Sequence, residues 1–114
     1  MRFIDHPWLN RLNAAIEENL SKEHMDNSKL SELLGISERQ LYRKCKEITT
    51  KTPNEYMRIY RLHRAKEMLK NGQFMTIKET CYAVGYVNVG YFQRQFKKLH
   101  GISAMDVLRG EGWR

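Results

Sequence analysis

Residues Gly35 to Ile48 read GISERQLYRKCKEI, a turn followed by a short helix with two unlike faces. Leu41, Cys45 and Ile48 recur at i, i+4, i+7 and form an apolar stripe. Arg39, Arg43 and Lys46 recur at the same spacing and form a basic one. One face can bury; the other can meet an anion. Ser37 is a good N-cap and Gln40, three residues on, completes a capping box, which sets Glu38 and Arg39 in the first turn.

Upstream, Leu30, Leu33 and Leu34 are the apolar positions of a short helix capped by Asp26 or Asn27, and Gly35 supplies the left-handed residue that ends it. This pair is a helix-turn-helix. Before it, Asp5-His6-Pro7 marks a helix start with proline at the first helical position. Trp8, Leu9, Leu12, Ala15, Ile16 and Leu20 then keep helical spacing to about Ser21, opposite an acidic side of Glu17, Glu18 and Glu23.

Downstream, Thr52, Pro53 and Glu55 open a helix that runs to about Lys70, where Asn71-Gly72 stops it. Tyr56, Ile59 or Tyr60, Leu62 or His63, Met68 and Leu69 are available for burial; Arg58, Arg61, Arg64 and Lys66 are among its polar positions. Thr76 and Glu79 form another capping box, opening a short helix that Gly85 ends. Asn88 caps a helix to about His100, Gly101 ends it, and Ser103 with Asp106 opens a last one reaching Leu108 or Arg109. The expectation is an all-α fold of about seven helices with no strand.

The chain repeats itself. Gly35 falls on Gly85 at an offset of 50, and after the turn Ser37 falls on Asn88, Leu41 on Phe92, Cys45 on Phe96, Ile48 on Leu99 and Thr50 on Gly101 at an offset of 51. Arg39, Arg43 and Lys46 meet Gly90, Arg94 and Lys97. Core packing alone would reproduce the apolar stripe but would not demand the basic pair. The spans expected within a single binding domain are about 8–52 for the first unit, 53–71 for a linker helix and 72–109 for the second unit. A linker of about 18 residues spans roughly 27 Å. Successive major-groove faces on one side of a B-DNA duplex recur about every 34 Å, so one chain can hold both units on adjacent segments of the groove.

Charge is unevenly spread, and the basic excess begins where the first helix-turn-helix begins. The net charge is +7, yet residues 1–26 carry 3 basic and 5 acidic groups against 17 and 8 in residues 27–114. The excess fits either a solvated basic surface or a polyanion partner. Cys45 and Cys81 lie on apolar sides of helices and read as buried free thiols in a reducing compartment. His6, His24, His63 and His100 show no ligand spacing, which argues against zinc; no cofactor is expected. No apolar run approaches a membrane span and the N-terminus lacks a signal-peptide core, so a cytoplasmic chain is expected, at the nucleoid when bound. Carboxylate pairs, a nucleophile with its base and a phosphate-cradling glycine loop do not appear, so the chain does not read as an enzyme.

Three blocks in order, LGISERQLYRKCKE, TPNEYMRIYRLHRAKEML and TIKETCYAVGYVNVGYFQRQFKKLHGIS, resemble the DNA-binding domain of the AraC family of bacterial transcription regulators. The form is most similar to the C-terminal output domain of hybrid two-component regulators. The resemblance covers about Leu9 to Arg109. It implies that the helices starting at Ser37 and Asn88 enter the major groove, that Arg61, Leu62 and Ala65 form the linker-helix motif, and that Phe92, Phe96 and Gly101 are structural. It further implies double-stranded DNA and RNA polymerase as partners, with a sensing part, and any dimerisation, in domains outside this piece. Ser31 and Cys81 hold the family's small position. The sequence departs from the pattern at Cys45 and Thr50, and in the second unit at Gly90, Ala104 and Val107.

In that setting Arg39 and Arg43 are the first candidates for reading bases, because arginine makes bidentate bonds to guanine O6 and N7. Glu38 can accept from cytosine N4 or simply favour the helix N-terminus. Asn88, Gln93 and Arg94 are the comparable groups of the second unit, with Asn88 also a cap. Ser37, Lys44, Lys46, Lys97 and Lys98 are candidates for phosphate contacts. Tyr42 and Tyr91 lie beside the apolar stripe and read as partial core. With Gly90 opposite Arg39, the first unit is expected to read more sequence than the second. A basic helical module that binds protein without specific DNA readout is the alternative.

Overall fold

The structure is a computed structural model that describes residues 6–22 and 25–110; Asp5, Glu23 and His24, named above, lie outside them. Among the described residues seven helices follow one another: α1 (Pro7–Glu18), α2 (Asn27–Leu34), α3 (Glu38–Thr49), α4 (Pro53–Lys70), α5 (Ile77–Ala83), α6 (Val89–His100) and α7 (Ala104–Leu108). No strand occurs among the described residues. Residues 6–20 and 25–58 form one compact unit, and residues 21, 22 and 59–110 form a second. The division falls inside α4.

In the first unit α1 packs on α2 and α2 on α3. Leu9, Leu12, Ile16, Leu30, Leu41 and Cys45 are buried together with Trp8 and Met57. α1 is shorter than its apolar spacing suggested. Asn19 turns back at its end, its Nδ2 donating to the Ala15 carbonyl at 2.9 Å and its backbone N–H to Ile16 at 3.2 Å. The short amide competes for the helix's own carbonyls, and Leu20 is buried from outside the helix. Leu33 stays 44% exposed. The hydroxyl of Tyr56, on the first part of α4, donates to Asn13 Oδ1 on α1.

In the second unit α5, α6 and α7 pack on one another over Ile77, Cys81, Val84, Phe92, Phe96, Ala104 and Val107. Leu62, Ala65, Met68 and Leu69 of α4 are buried within it. Ala104 and Val107, two of the positions at which the sequence departs from the resembled pattern, are fully packed. Arg61 departs from the polar, solvent-facing position its spacing suggests: it is 8% exposed. Its guanidinium donates to the Gly85 carbonyl at 3.2 Å and the Lys22 carbonyl at 3.1 Å. Burial lowers its pKa, and the nearby Tyr86 opposes that shift; arginine remains charged regardless.

The two helix-turn-helix turns are built alike. Gly35 (φ 69°) and Gly85 (φ 90°) take the left-handed conformation that ends α2 and α5. In each, the glycine N–H bonds three residues back and the next N–H bonds five back: Gly35 to Glu32 and Ile36 to Ser31, then Gly85 to Tyr82 and Tyr86 to Cys81. These are Schellman closures, and they bond the small-position residues Ser31 and Cys81 through their carbonyls.

Candidate nucleic-acid interface

Each unit fixes its second helix at the N-terminus with a side-chain cap. Ser37 Oγ accepts from Gln40 N–H at 3.1 Å while Gln40 Oε1 accepts from Ser37 N–H at 3.0 Å, the reciprocal box expected. Asn88 Oδ1 accepts from Tyr91 N–H at 2.8 Å. Both side chains are thus engaged by their helices. Ser37 Oγ also lies 3.3 Å from Gln40 Oε1, to which it can donate; exposed Asn88 keeps its Nδ2 end for an outside acceptor. At Thr76 the box differs from expectation. Its hydroxyl accepts from Glu79 N–H at 3.1 Å and donates to Glu79 Oε1 at 2.9 Å, so the carboxylate meets the hydroxyl in place of the backbone.

On α3, Leu41 and Cys45 are fully buried and Ile48 half-buried, while Glu38, Arg39, Arg43 and Lys46 face solvent. Glu38 sits in the first turn, where its charge suits the helix dipole, and Lys46 in the last. Tyr42 is 52% exposed, more solvent-facing than the partial core expected of it, while Tyr91, 43% exposed with its ring centroid 6.1 Å from that of Tyr86, is partly packed as expected. Tyr42 lies at i+3 from Arg39, which completes a solvent row of Arg39, Tyr42, Arg43 and Lys46. The repeat register carried the signal: Tyr42 is the counterpart of Gln93, a candidate base reader.

Lys44 stands apart from the row. It is half-buried, with Nζ 5.8 Å from the centroid of the Trp8 ring. The C-terminal end of α3 is closed by Thr49, whose Oγ1 donates to the Cys45 carbonyl at 2.7 Å and accepts from Lys51 N–H at 3.1 Å. Burial pushes the Cys45 thiol pKa up, and Cys81 is raised to about 11 by the same cause, so both remain thiols at neutral pH.

On α6, Phe92 and Phe96 are fully buried, and Gln93, Arg94, Lys97 and Lys98 are exposed. These four, with Gly90 and Ser103, line a surface groove of about 600 Å³. Arg94 Nη1 lies 3.4 Å from where a Gly90 β-carbon would stand, so the guanidinium reaches back along the helix over the bare glycine. Arg94 is thereby brought towards the N-terminal turn. Lys97 and Lys98 lie in the last turn.

Arg61 is the residue whose importance its position on α4 did not reveal. It ties that helix to the carbonyl of Gly85, the residue at the turn before α6. Among the described residues no helix is long and apolar enough to cross a membrane.

Comparison with known proteins agrees with this layout. The family described as "Helix-turn-helix domain" matches residues 30–110. The chain is 34% identical over 95 residues to histidine kinase P4 of Formosa agariphila, covering 83% of this chain and 7% of that protein. It is 30% identical over 107 residues to the HTH-type transcriptional regulator GbdR of Pseudomonas aeruginosa, covering 94% of this chain and 29% of that one. The chain therefore spans less than a third of either relative. The solved C-terminal domain of AraT, a response regulator from Geobacillus stearothermophilus, superposes with a TM-score of 0.79 at 26% identity, over 92% of this chain and 86% of that one. The chain belongs to the AraC-type helix-turn-helix family, with α3 and α6 as the second helices of its two helix pairs.

Proposed function

We propose that this chain is the sequence-specific DNA-binding output domain of a bacterial transcription regulator, and that α3 and α6 each lie in a major-groove segment. One observation carries the reading. Two capped helices present rows at the same i, i+3, i+4, i+7 spacing, Arg39-Tyr42-Arg43-Lys46 and Gly90-Gln93-Arg94-Lys97, with an arginine and a lysine retained in register. Arg39 and Arg43 read guanine, Tyr42 offers its ring edge and hydroxyl beside them, and Gln93 and Arg94 do the reading in the second unit. Lys46, Lys97 and Lys98 hold phosphates, and Lys44 does so from the flank of α3. Glu38 and Asn88 serve mainly their helix N-termini.

The relatives named as a histidine kinase, a transcriptional regulator and a response regulator support an output role under a sensing part elsewhere in a longer protein. RNA polymerase is the partner such a role implies, the cytoplasm its compartment, and dimerisation belongs to the other domains. The test is selection of binding sites from random duplex DNA at two salt concentrations. Enrichment of a defined site that persists at the higher salt is expected. Retention of all sequences alike, with binding abolished by salt, would leave only counterion-driven association and defeat the reading.

A further inference from the structure

Among the candidate phosphate contacts, Lys44 alone is half-buried; Lys46, Lys97 and Lys98 are all exposed. Its Nζ stands 5.8 Å from the centroid of the Trp8 ring, inside the roughly 6 Å range over which an aromatic face attracts a cation. Trp8 is itself 9% exposed, and its indole Nε1 is buried without a hydrogen-bond partner among the described residues. The ring is therefore held by packing and not by its polar tip. Trp8 belongs to the first turn of α1, ahead of residues 30–110 over which the helix-turn-helix family matches.

We propose that Trp8 is a positioning residue for DNA binding: its face holds the Lys44 ammonium beside the basic row of α3, so that a phosphate at the groove wall meets a cation already ordered. The inference rests on the DNA reading of the first unit. A lysine side chain carries some of the largest rotamer entropy of any residue, and a contact that restricts it beforehand leaves less to lose on binding. An aromatic face suits this task better than a carboxylate. It attracts the ammonium through its quadrupole without cancelling the charge that the phosphate needs. The second unit has no equivalent, because the counterpart of Lys44 there is Gln95.

The experiment titrates the 114-residue chain against its selected duplex over a series of salt concentrations. Lys44→Ala is expected to flatten the slope of log Kd against log salt by about 0.9, the signature of one lost phosphate contact. Trp8→Leu is expected to weaken binding about 2- to 5-fold, Trp8→Phe to retain most of the affinity, and Trp8→Leu to cost nothing further in the Lys44→Ala background. A Trp8→Leu loss that persists in that background, or an unchanged slope in Lys44→Ala, overturns the proposal. A second measurement needs no variant to fold. In the unsubstituted chain the Lys44 ε-methylene protons are expected upfield of the other lysines from the indole ring current, and an ordinary shift overturns the proposal. If the chain binds no duplex at all, the DNA reading falls and this inference with it, whereas a normal salt series with an ordinary methylene shift removes this inference alone.

Discussion

The two helix pairs share one register and differ in what fills it. In the first, the buried stripe is Leu41 and Cys45 and the solvent row is Arg39, Tyr42, Arg43 and Lys46. In the second, the stripe is Phe92 and Phe96, with ring centroids 5.9 Å apart, and Tyr86 and His100 extend the aromatic stack at 5.4 Å and 4.5 Å. Its solvent row begins with Gly90, which offers no side chain. The first pair places its largest and most varied groups on its solvent face; the second places them in its core. What both keep are the Schellman turn, the side-chain cap and the arginine-lysine pair, the parts that fix where a helix starts and leave its outer face basic.

α4 contributes a different tie to each unit, and the difference predicts the largest effect. Tyr56 offers the first unit one hydroxyl bond to Asn13, while Arg61 brings the second a buried charge bonded to two carbonyls. Arg61→Met, similar in volume, leaves both carbonyls without their donor and is expected to cost about 2–3 kcal/mol, a fall in Tm of ~10 °C or more. Tyr56→Phe is expected to cost about 1 kcal/mol. Thermal melts of the two variants, followed by circular dichroism, rank the ties. Equal losses would mean that Arg61 contributes no more than an ordinary hydrogen bond.

The solvent rows predict the next effect. Arg43→Ala should remove about 1–3 kcal/mol of discrimination at its base pair, measured as the ratio of affinities for the selected site and a single-pair variant. Arg94→Ala should remove less, since Gly90 gives Arg94 no neighbouring side chain at i−4 with which to read. Equal losses would show that the missing side chain at Gly90 does not weaken the second unit. In that case the guanidinium lying over the bare glycine gains in reach what the row lacks in number.

Much of this was legible in the sequence, and what was hidden has physical reasons. All seven helices could be placed because caps and stops are local: Ser37, Thr52, Asn88 and Ser103 open helices, and Gly35, Gly85 and Gly101 stand at the ends of α2, α5 and α6. The early end of α1 was missed because Asn19 stops a helix through its own amide, without a glycine to announce it. Arg61 could not be recognised as buried from spacing, since its partners are main-chain carbonyls 24 and 39 residues away, invisible to periodicity. Tyr42 was misplaced because a tyrosine beside an apolar stripe suits either face; only its exposure settles which. Of the candidate contacts, Arg39, Arg43, Lys46, Arg94 and Lys97 are exposed, as their helical spacing requires. The half-burial of Lys44 has no sign in that spacing, because Trp8 lies 36 residues upstream on another helix.

The ends of α3 and α6 offer a smaller test. Thr50 and Gly101 occupy equivalent places with φ of 65° and 72°, and each N–H bonds four residues back, to Lys46 and Lys97. Thr50 is the residue other than glycine that takes a positive φ among those described. A β-branched side chain is strained there, so Thr50→Gly is expected to stabilise the fold by about 0.5–1 kcal/mol even after the added freedom of the unfolded chain. Gly101→Ala should do the reverse by a similar amount. Open space surrounds a β-carbon at Gly101, so the cost is purely conformational. Urea midpoints of both variants check the pair, and a destabilised Thr50→Gly would mean that the threonine side chain has a stabilising contact there.

The smallest expected effect is one of pH, and it too separates the units. His100 is the counterpart of Thr49, so the second unit closes its last α6 turn with a titratable group where the first has a hydroxyl. Burial lowers the His100 pKa, opposed by its Nε2 bond to the Leu62 carbonyl at 3.0 Å and reinforced by His63, ring centroid 5.2 Å away, and by Lys66. With the folded value below the ordinary imidazole value near 6.5, the unfolded chain takes up the proton first, and stability falls as pH drops below about 6.5. In the first unit, Glu55 has its carboxyl pKa lowered by its bonds to Thr52, so the stability it adds is kept above its ordinary range near 4.5 and lost only below it. Acidification should therefore loosen the second unit before the first. Amide exchange across pH 7 to 4, compared between α6 and α3, reads the order directly. His100→Gln should remove the upper step, because an amide can still donate to the Leu62 carbonyl but carries no proton to gain.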